Sequence, residues 1–372
     1  MIAYSKLQVR VDLEAITHNY RLLKEIGGRI IPVIKSDAYG HGLCEVARAL
    51  EPEGADTCAV GYVHEGVQLR DSGYAGRIIS LLGPVDAPDF AALGPRGIVP
   101  FIGHADTLGA LGREVSDPVD IALKFDTGMS RLGFRPEQLP EILDFCARHP
   151  HIRPVMVASH LAVADEPQRS GLTTEQCTVF LEVVDQLRGA GYAVEASLAN
   201  SAAILGHEQC LCDSQRAGIA LYGANPFEGT EWRHVGEALL PAMEVSAPVL
   251  SVHALDKGQG ISYGHTYVAE EDMLVAVVGV GYADCYSRGL SNRGWMNFRG
   301  HRVPVVGRVC MQMTCVDVTG LAGKGEAVRV GDVVHLLGGP APGRILPGEL
   351  AEWWETIPYE VFCLLGMNPR SY

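Results

Sequence analysis

The chain lacks any excess of basic residues, any membrane-length apolar run and any low-complexity tract. Lys and Arg total 30 against 44 Asp and Glu, a formal net charge of -14 that repels phosphate backbones and anionic lipid head groups. Nucleic-acid binding and membrane-surface binding are therefore disfavoured as main activities, while local basic sites for small anions stay open. The N-terminal stretch MIAYSKLQVRVDLEAI has no cationic segment followed by an apolar core, and no apolar run reaches about 18 residues, so neither a signal peptide nor a membrane span is visible. A cytoplasmic location is expected. Ten cysteines are scattered through mostly apolar segments, and Cys210 and Cys212 form a C-x-C pair with no second pair at zinc-ligand spacing. They read as packing residues in a reducing compartment, and no metal is expected.

What is present is a globular composition, 47% hydrophobic and 20% charged, in a chain of 372 residues. That length exceeds one usual core, and a barrel plus a smaller domain absorbs it. From residue 30 to about 217, short β-branched apolar runs alternate with stretches of helical period, the pattern of βα units. The strands expected are 30 to 35, 57 to 61, 77 to 82, 98 to 102, 119 to 125, 153 to 159, 194 to 198 and 212 to 217. Eight such units predict a TIM-like (β/α)8 barrel. After about residue 235 the pattern changes to alternating valine-rich strands with glycine turns, a C-terminal mostly-β domain. The expected division is a barrel over 11–235 and a β domain over 236–372, joined by the strand within residues 1–10, which is left over once the barrel strands are counted.

Functional side chains of such barrels stand at the C-terminal ends of the strands. Lys35 ends the first strand and opens a glycine-punctuated loop, Ser36 to Gly42. A strand-end lysine is usually a solvated charge; desolvated, it can lose its proton and attack an aldehyde. The seventh strand ends in Asn200-Ser201 and the eighth is followed by Gly218-Ile219, the positions from which barrel loops commonly hold a phosphate. Taken alone, such a serine is more often a helix N-cap and such a glycine usually a turn.

The segment IPVIKSDAYGHG resembles the cofactor-lysine motif of the alanine racemase family, and SYGHTY, GYAD, GRVCM and TIPYEV follow in that family's order. The resemblance runs from LEAITHNY to PRSY, nearly the whole chain. It implies a pyridoxal 5'-phosphate (PLP) enzyme of fold type III that interconverts L- and D-alanine by a two-base mechanism, supplying D-alanine as a peptidoglycan precursor. Lys35 would carry the cofactor and serve one face of the substrate, and Tyr263 would serve the other, entering from the second subunit of a homodimer. By the same resemblance, Ser201 and the amides of Gly218 and Ile219 hold the phosphate, with Asn200 beside them and hydrogen bonds from Tyr39 and Tyr359. Arg216 faces the pyridine nitrogen and His160 lies near the ring. Arg131, Met311 and Tyr282 meet the substrate, Arg288 lines its entrance, and Lys124 matches a lysine often carbamylated in the family.

A phenol has an ordinary pKa of about 10, so Tyr263 needs activating neighbours. A guanidinium is effectively never deprotonated, so Arg216 cannot give the ring nitrogen a full proton, which favours prompt reprotonation at Cα over elimination. Three positions depart from the family pattern: Gln312 stands where Asp is usual, Cys285 where Gly is usual, and Asn368 in a stretch normally rich in arginine. Gln312 motivates a serine-preferring or broader racemase as the alternative. A PLP-dependent decarboxylase needs a carboxylate at the ring nitrogen, a non-catalytic PLP carrier lacks the β domain, and a metal-dependent barrel hydrolase needs clustered ligands.

Overall fold

The computed structural model describes residues 5–322 and 326–372. Residues 1–4 of the expected N-terminal strand segment lie outside the described residues. The chain divides into two compact units, one of Ile16–Ala38 with Gly42–Leu240, the other of Met1–Ala15, Tyr39–His41 and Pro241–Tyr372. A (β/α)8-like barrel is thus followed by a mostly-β domain. No helix among the described residues is long and apolar enough to cross a membrane.

After β1 (Gln8–Val11) and α1 (Leu13–Gly27), eight barrel strands follow: β2 (Ile30–Pro32), β3 (Thr57–Val60), β4 (Arg77–Ser80), β5 (Ile98–Ile102), β6 (Val119–Lys124), β7 (Ile152–Ala158), β8 (Glu195–Ser197) and β9 (Gln215–Ala217). Parallel pairing runs from β3 to β8 in sequence order, and β2 pairs with β9. Single bridges, Val33 to Ala59 and Ser197 to Ser214, close the ring. The strands are buried on both faces because helices cover the outside and side chains fill the inside, which is why they read as continuous apolar runs.

The outer helices are α3 (Leu43–Leu50), α4 (Val63–Asp71), α5 (Ala87–Arg96), α6 (Ala105–Glu114), α7 (Leu139–Arg148) and α8 (Ser170–Gly189), with the short α9 (Ser201–Gly206) after β8. The turn α2 (Lys35–Gly40) is different. Ser36, Asp37, Ala38 and Tyr39 all have φ of 53 to 54°, so the segment expected to be a loop is a left-handed helical turn without glycine until Gly40. Each such residue costs roughly 1–2 kcal/mol. Polar clamps offset the strain: Glu65 Oε1 accepts from Ser36 N at 2.7 Å, and Asp37 Oδ1 accepts from Leu43 N at 2.7 Å. The other Glu65 oxygen takes the N–H groups of Gly61 and Tyr62 at 2.6 and 3.1 Å, so one carboxylate caps α4 and pins the turn.

In the second unit, β10 (Met243–Leu255) is the spine. Hairpin β11 (Gly260–Ile261) and β12 (Tyr267–Val268) follows, then β13 (Met273–Val278), β14 (Trp295–Phe298), β15 (His301–Pro304), β16 (Thr314–Asp317), β17 (Val333–Leu337) and β18 (Arg370–Ser371). The main sheet has the order β15-β14-β17-β10-β1-β18, with β13 pairing β10 and β16. Thus β1, assigned to this sheet by elimination, lies between β10 and β18. Helices α10 (Thr319–Ala322), α11 (Pro347–Trp354) and α12 (Pro358–Leu365) complete the unit.

Because Glu65 accepts three backbone N–H groups, Glu65→Ala should cost about 2 kcal/mol, more than the ~1 kcal/mol of an ordinary cap. Denaturant unfolding measures this, and a loss under about 0.5 kcal/mol would show that the clamp does not hold the turn.

Candidate active site

Arg216 enters the barrel interior from β9 and is 4% exposed. A buried charge is tolerable only when its donors are matched. Here Nη1 donates to the carbonyl oxygen and the hydroxyl of Ser197 at 2.7 and 2.8 Å, and Nη2 donates to the carbonyl oxygens of Ser159 and Leu198. All these partners lie at the ends of β7 and β8, and none is a carboxylate. Nε takes no part in these bonds. Burial lowers the Arg216 pKa from 12.5 to about 10, which leaves the group charged at neutral pH.

That charge adds to the effect of burial on its neighbours. Lys124, at the end of β6, has its pKa lowered to about 7 by burial, by Arg216 and by Arg131, with Asp126 opposing. Its ammonium nitrogen donates to Phe125 O at 2.9 Å. His160 is held neutral, its pKa well below 6.5, by burial and then by Arg216, Lys124, Arg131 and Lys35. These causes place Lys35, Lys124, Arg131, His160 and Arg216 together at one mouth of the barrel.

Asp126 is the nearby acid, and its charge is already committed. Its Oδ1 accepts from Gly128, Met129 and Ser130 at 2.9, 2.9 and 3.0 Å, shaping the loop that ends in Arg131. Burial works to raise the Asp126 pKa, but these N–H groups and Lys124 hold it below its usual value.

Asn200 caps α9 through Oδ1, which accepts from Ala203 N at 3.1 Å. The next residue, Ser201, is buried, and its Oγ accepts from Gly218 N at 2.9 Å and Ala220 N at 3.2 Å. Ile219 lies between these two amides and is buried. The serine oxygen thus joins the two loops expected to hold a phosphate, and its proton remains as a donor.

The other site residues belong to the second unit. Tyr263 occupies a turn between β11 and β12 and is 71% exposed. Ser262 before it has φ of 60° and donates through Oγ to Arg308 O at 2.7 Å. Tyr282 and Met311 are exposed, and their loops are stitched by Tyr282 N to Cys310 O at 3.1 Å and Ala283 N to Met311 O at 2.9 Å. A side chain at Gly281 would collide with the Cys310 and Met311 carbonyls, so glycine permits that approach. Tyr39 is buried with its ring 5.9 Å from that of Tyr359, which is itself partly exposed. Burial, Tyr359 and Cys363 raise the Tyr39 pKa.

The donor set fits PLP. The basic side chains of Arg216, Arg131, Lys124 and Lys35, which all act on His160, suit a ligand bearing a phosphate and a phenolic oxygen, and the Ser201 hydroxyl is a donor for a phosphate. Sequence reasoning missed Glu65, Ser159, Ser197 and Asp126 as supports. Asp126 was within reach, since Asp before Gly and Ser is an Asx-turn signal. Glu65 stands three residues after Tyr62, a capping-box spacing without the usual small polar cap.

A strand-end amine beside a buried guanidinium, in a barrel followed by a β domain, defines the class of enzyme. Family models for the alanine racemase N-terminal domain and C-terminal domain match residues 11–226 and 242–372. The chain belongs to the alanine racemase family. It is 53% identical over 373 residues to alanine racemase of Nitratidesulfovibrio vulgaris (strain DSM 19637 / Miyazaki F), covering 100% of this chain and 99% of that one. Among solved structures, alanine racemase from E. faecalis is 30% identical with a TM-score of 0.90, each chain covered 100%. Alanine racemase from Bartonella henselae with covalently bound pyridoxal phosphate is 28% identical with a TM-score of 0.87, each covered 99%.

Since Lys124 titrates near 7 when folded and near 10.5 when unfolded, the unfolded chain binds more protons between those values, and stability rises with pH across that window. In carbon-dioxide-free buffer, Lys124→Met should raise Tm most below pH 7, with the gain shrinking toward pH 10.5. Thermal unfolding against pH reads this; a pH-independent gain contradicts the buried-cation account.

Proposed function

We infer that the chain is a PLP-dependent isomerase that interconverts L- and D-alanine. The observation that carries this reading is Arg216, buried and bonded only to carbonyls and a hydroxyl, in a chain that matches the alanine racemase family over residues 11–226 and 242–372. Bound, the cofactor supplies an electron sink that acidifies the substrate Cα proton. Lys35 is the residue that would hold the cofactor's aldehyde carbon, and its amine would exchange a proton at the substrate Cα on the D face. The Tyr263 phenol exchanges the proton on the L face. Arg216 would face the cofactor ring with a donor that keeps its proton, which would favour return of a proton to Cα over loss of a β-substituent. Arg131 and the Met311 amide orient the substrate carboxylate, and Tyr282 and Arg288 line its approach. Ser201, Gly218, Ile219, Asn200, Tyr39 and Tyr359 hold the phosphate, with His160 beside the ring.

The exposure of Tyr263, Tyr282 and Met311 supports a homodimer in which each protomer offers Tyr263 to its partner's site. The ten cysteines stand as free thiols, the state that a reducing cytoplasm maintains, and this supports a cytoplasmic place of action. The depressed pKa of Lys124 supports carbamylation: its lone pair forms a C–N bond to carbon dioxide and a proton leaves to solvent. The resulting carboxylate is a partner for Arg131. Isotope-labelled bicarbonate should give a carbamate carbon resonance that Lys124→Met abolishes, and a spectrum identical in both proteins contradicts it.

In D2O, L-alanine with the holoenzyme should give both deuterated enantiomers with no CO2, and alanine should be preferred over serine in kcat/KM. Tyr263→Phe should lower kcat by about 100-fold or more, the usual scale of general acid–base catalysis, and Lys35→Ala should abolish turnover. CO2 release, absence of the D-enantiomer, or normal turnover in either variant contradicts the reading.

A further inference from the structure

Helix α8 turns a mostly apolar stripe toward the barrel, and that stripe carries a primary amide, Gln176. Gln176 is 5% exposed, flanked at helical spacing by Thr173, Cys177 and Phe180. A buried primary amide is tolerated only when both its ends are bonded. The Gln176 oxygen accepts from Ala162 N at 2.9 Å, and its nitrogen donates to His160 O at 3.1 Å. Those two groups flank buried Leu161, and they form the acceptor-and-donor pair that a neighbouring parallel strand would engage. Strand β7 has ended at Ala158, so the side chain continues the ladder past the point where the sheet stops.

The same side chain supports a second loop. Gly128 has φ of 130°, and a Cβ there would lie 3.3 Å from Gln176 Cγ, so the loop from Asp126 to Arg131 rests on the methylene stem. Thr127 Oγ1 and Ser159 Oγ, 2.8 Å apart and buried, tie these loops together from the other side. The loops carry His160 and Arg131, two of the groups that share the electrostatic field of Arg216 and Lys124.

We propose that Gln176 is a positioning residue for racemisation, a side-chain extension of the barrel ladder that sets His160 and Arg131 in register. A methionine or leucine in its place would fill the volume and leave the His160 carbonyl and the Ala162 amide unpaired, so packing alone does not account for a glutamine here. The proposal rests on the racemase reading above, but its geometric half can be read without catalysis.

Two variants of the holoenzyme test it. Gln176→Met keeps the bulk and removes both bonds. Gln176→Glu keeps the acceptor for Ala162, opposes the His160 carbonyl when ionised, and regains a donor when protonated. Hydrogen exchange by mass spectrometry should accelerate in the Gln176→Met segment covering Ser159 to Ala164 and not in the rest of the barrel. Its kcat/KM for L-alanine should fall about tenfold, the scale of losing two part-buried hydrogen bonds, with KM less affected than kcat. The ratio of Gln176→Glu to wild-type kcat/KM should climb several-fold from alkaline to mildly acidic pH, a rescue by protonation that a purely structural role would not give. Unchanged exchange, wild-type kcat/KM in Gln176→Met, or a flat pH ratio would each overturn the proposal. If Gln176→Met does not fold, the pH ratio of Gln176→Glu decides. Failure of the wild-type protein to racemise alanine would overturn the racemase reading while leaving the exchange result to decide the contact.

Discussion

The constraint on which the site depends is a guanidinium buried inside a barrel with no carboxylate to pair it. Taking a charge out of water costs several kcal/mol even after relaxation, so the fold must meet its donors with fixed dipoles. Arg216 finds them in the strand-end carbonyls of Ser159, Ser197 and Leu198 and in the Ser197 hydroxyl. Carbonyl dipoles satisfy hydrogen bonds without cancelling charge. The surplus positive potential therefore remains to act on neighbours, and it helps drive Lys124 and His160 toward their neutral forms. A site that discourages its own cations from being charged is one that receives anions, and PLP with an amino-acid carboxylate supplies them.

Around that charge, backbone geometry is set by side chains used as caps. Asp126 gives its carboxylate to three amides of the Arg131 loop, Glu65 gives both oxygens to the turns around Lys35 and α4, and Ser201 bridges the loops after β8 and β9. Each contact replaces a ladder bond missing where a strand stops, because strand ends leave amides and carbonyls that must find partners. The left-handed turn after Lys35 is the most expensive of these local structures, and it is also the most heavily pinned. Such strain, held by surrounding contacts, fixes the direction in which the lysine leaves its strand.

The barrel was legible because strands buried on both faces leave unbroken β-branched runs, and all eight expected segments contain a strand. Their ends were less legible. The first was read to Lys35, but pairing stops at Pro32 with one further bridge at Val33, since the chain must turn left-handed to present the amine. Ser36 to Tyr39 carry no glycine to announce that turn. In the second unit, Trp295–Phe298 and helices α11 and α12 escaped notice because WMNF has no clear alternation and the helices are only two turns long. Cys285 had been marked as a departure from a usual glycine, and its φ of 62° explains why glycine is usual there. The charge state of Lys124 could not be read from the sequence at all, because it depends on burial and on an arginine 92 positions away, 216 − 124.

The central claim is that this barrel mouth holds an aldehyde cofactor on Lys35 and not on Lys124, whose own pKa is lowered to about 7. Borohydride fixation of the PLP-loaded protein, followed by proteolysis and mass spectrometry, tests it directly. The account predicts a single reduced pyridoxyl-phosphate adduct on the peptide containing Lys35; an adduct on Lys124, or none in the barrel, would contradict it.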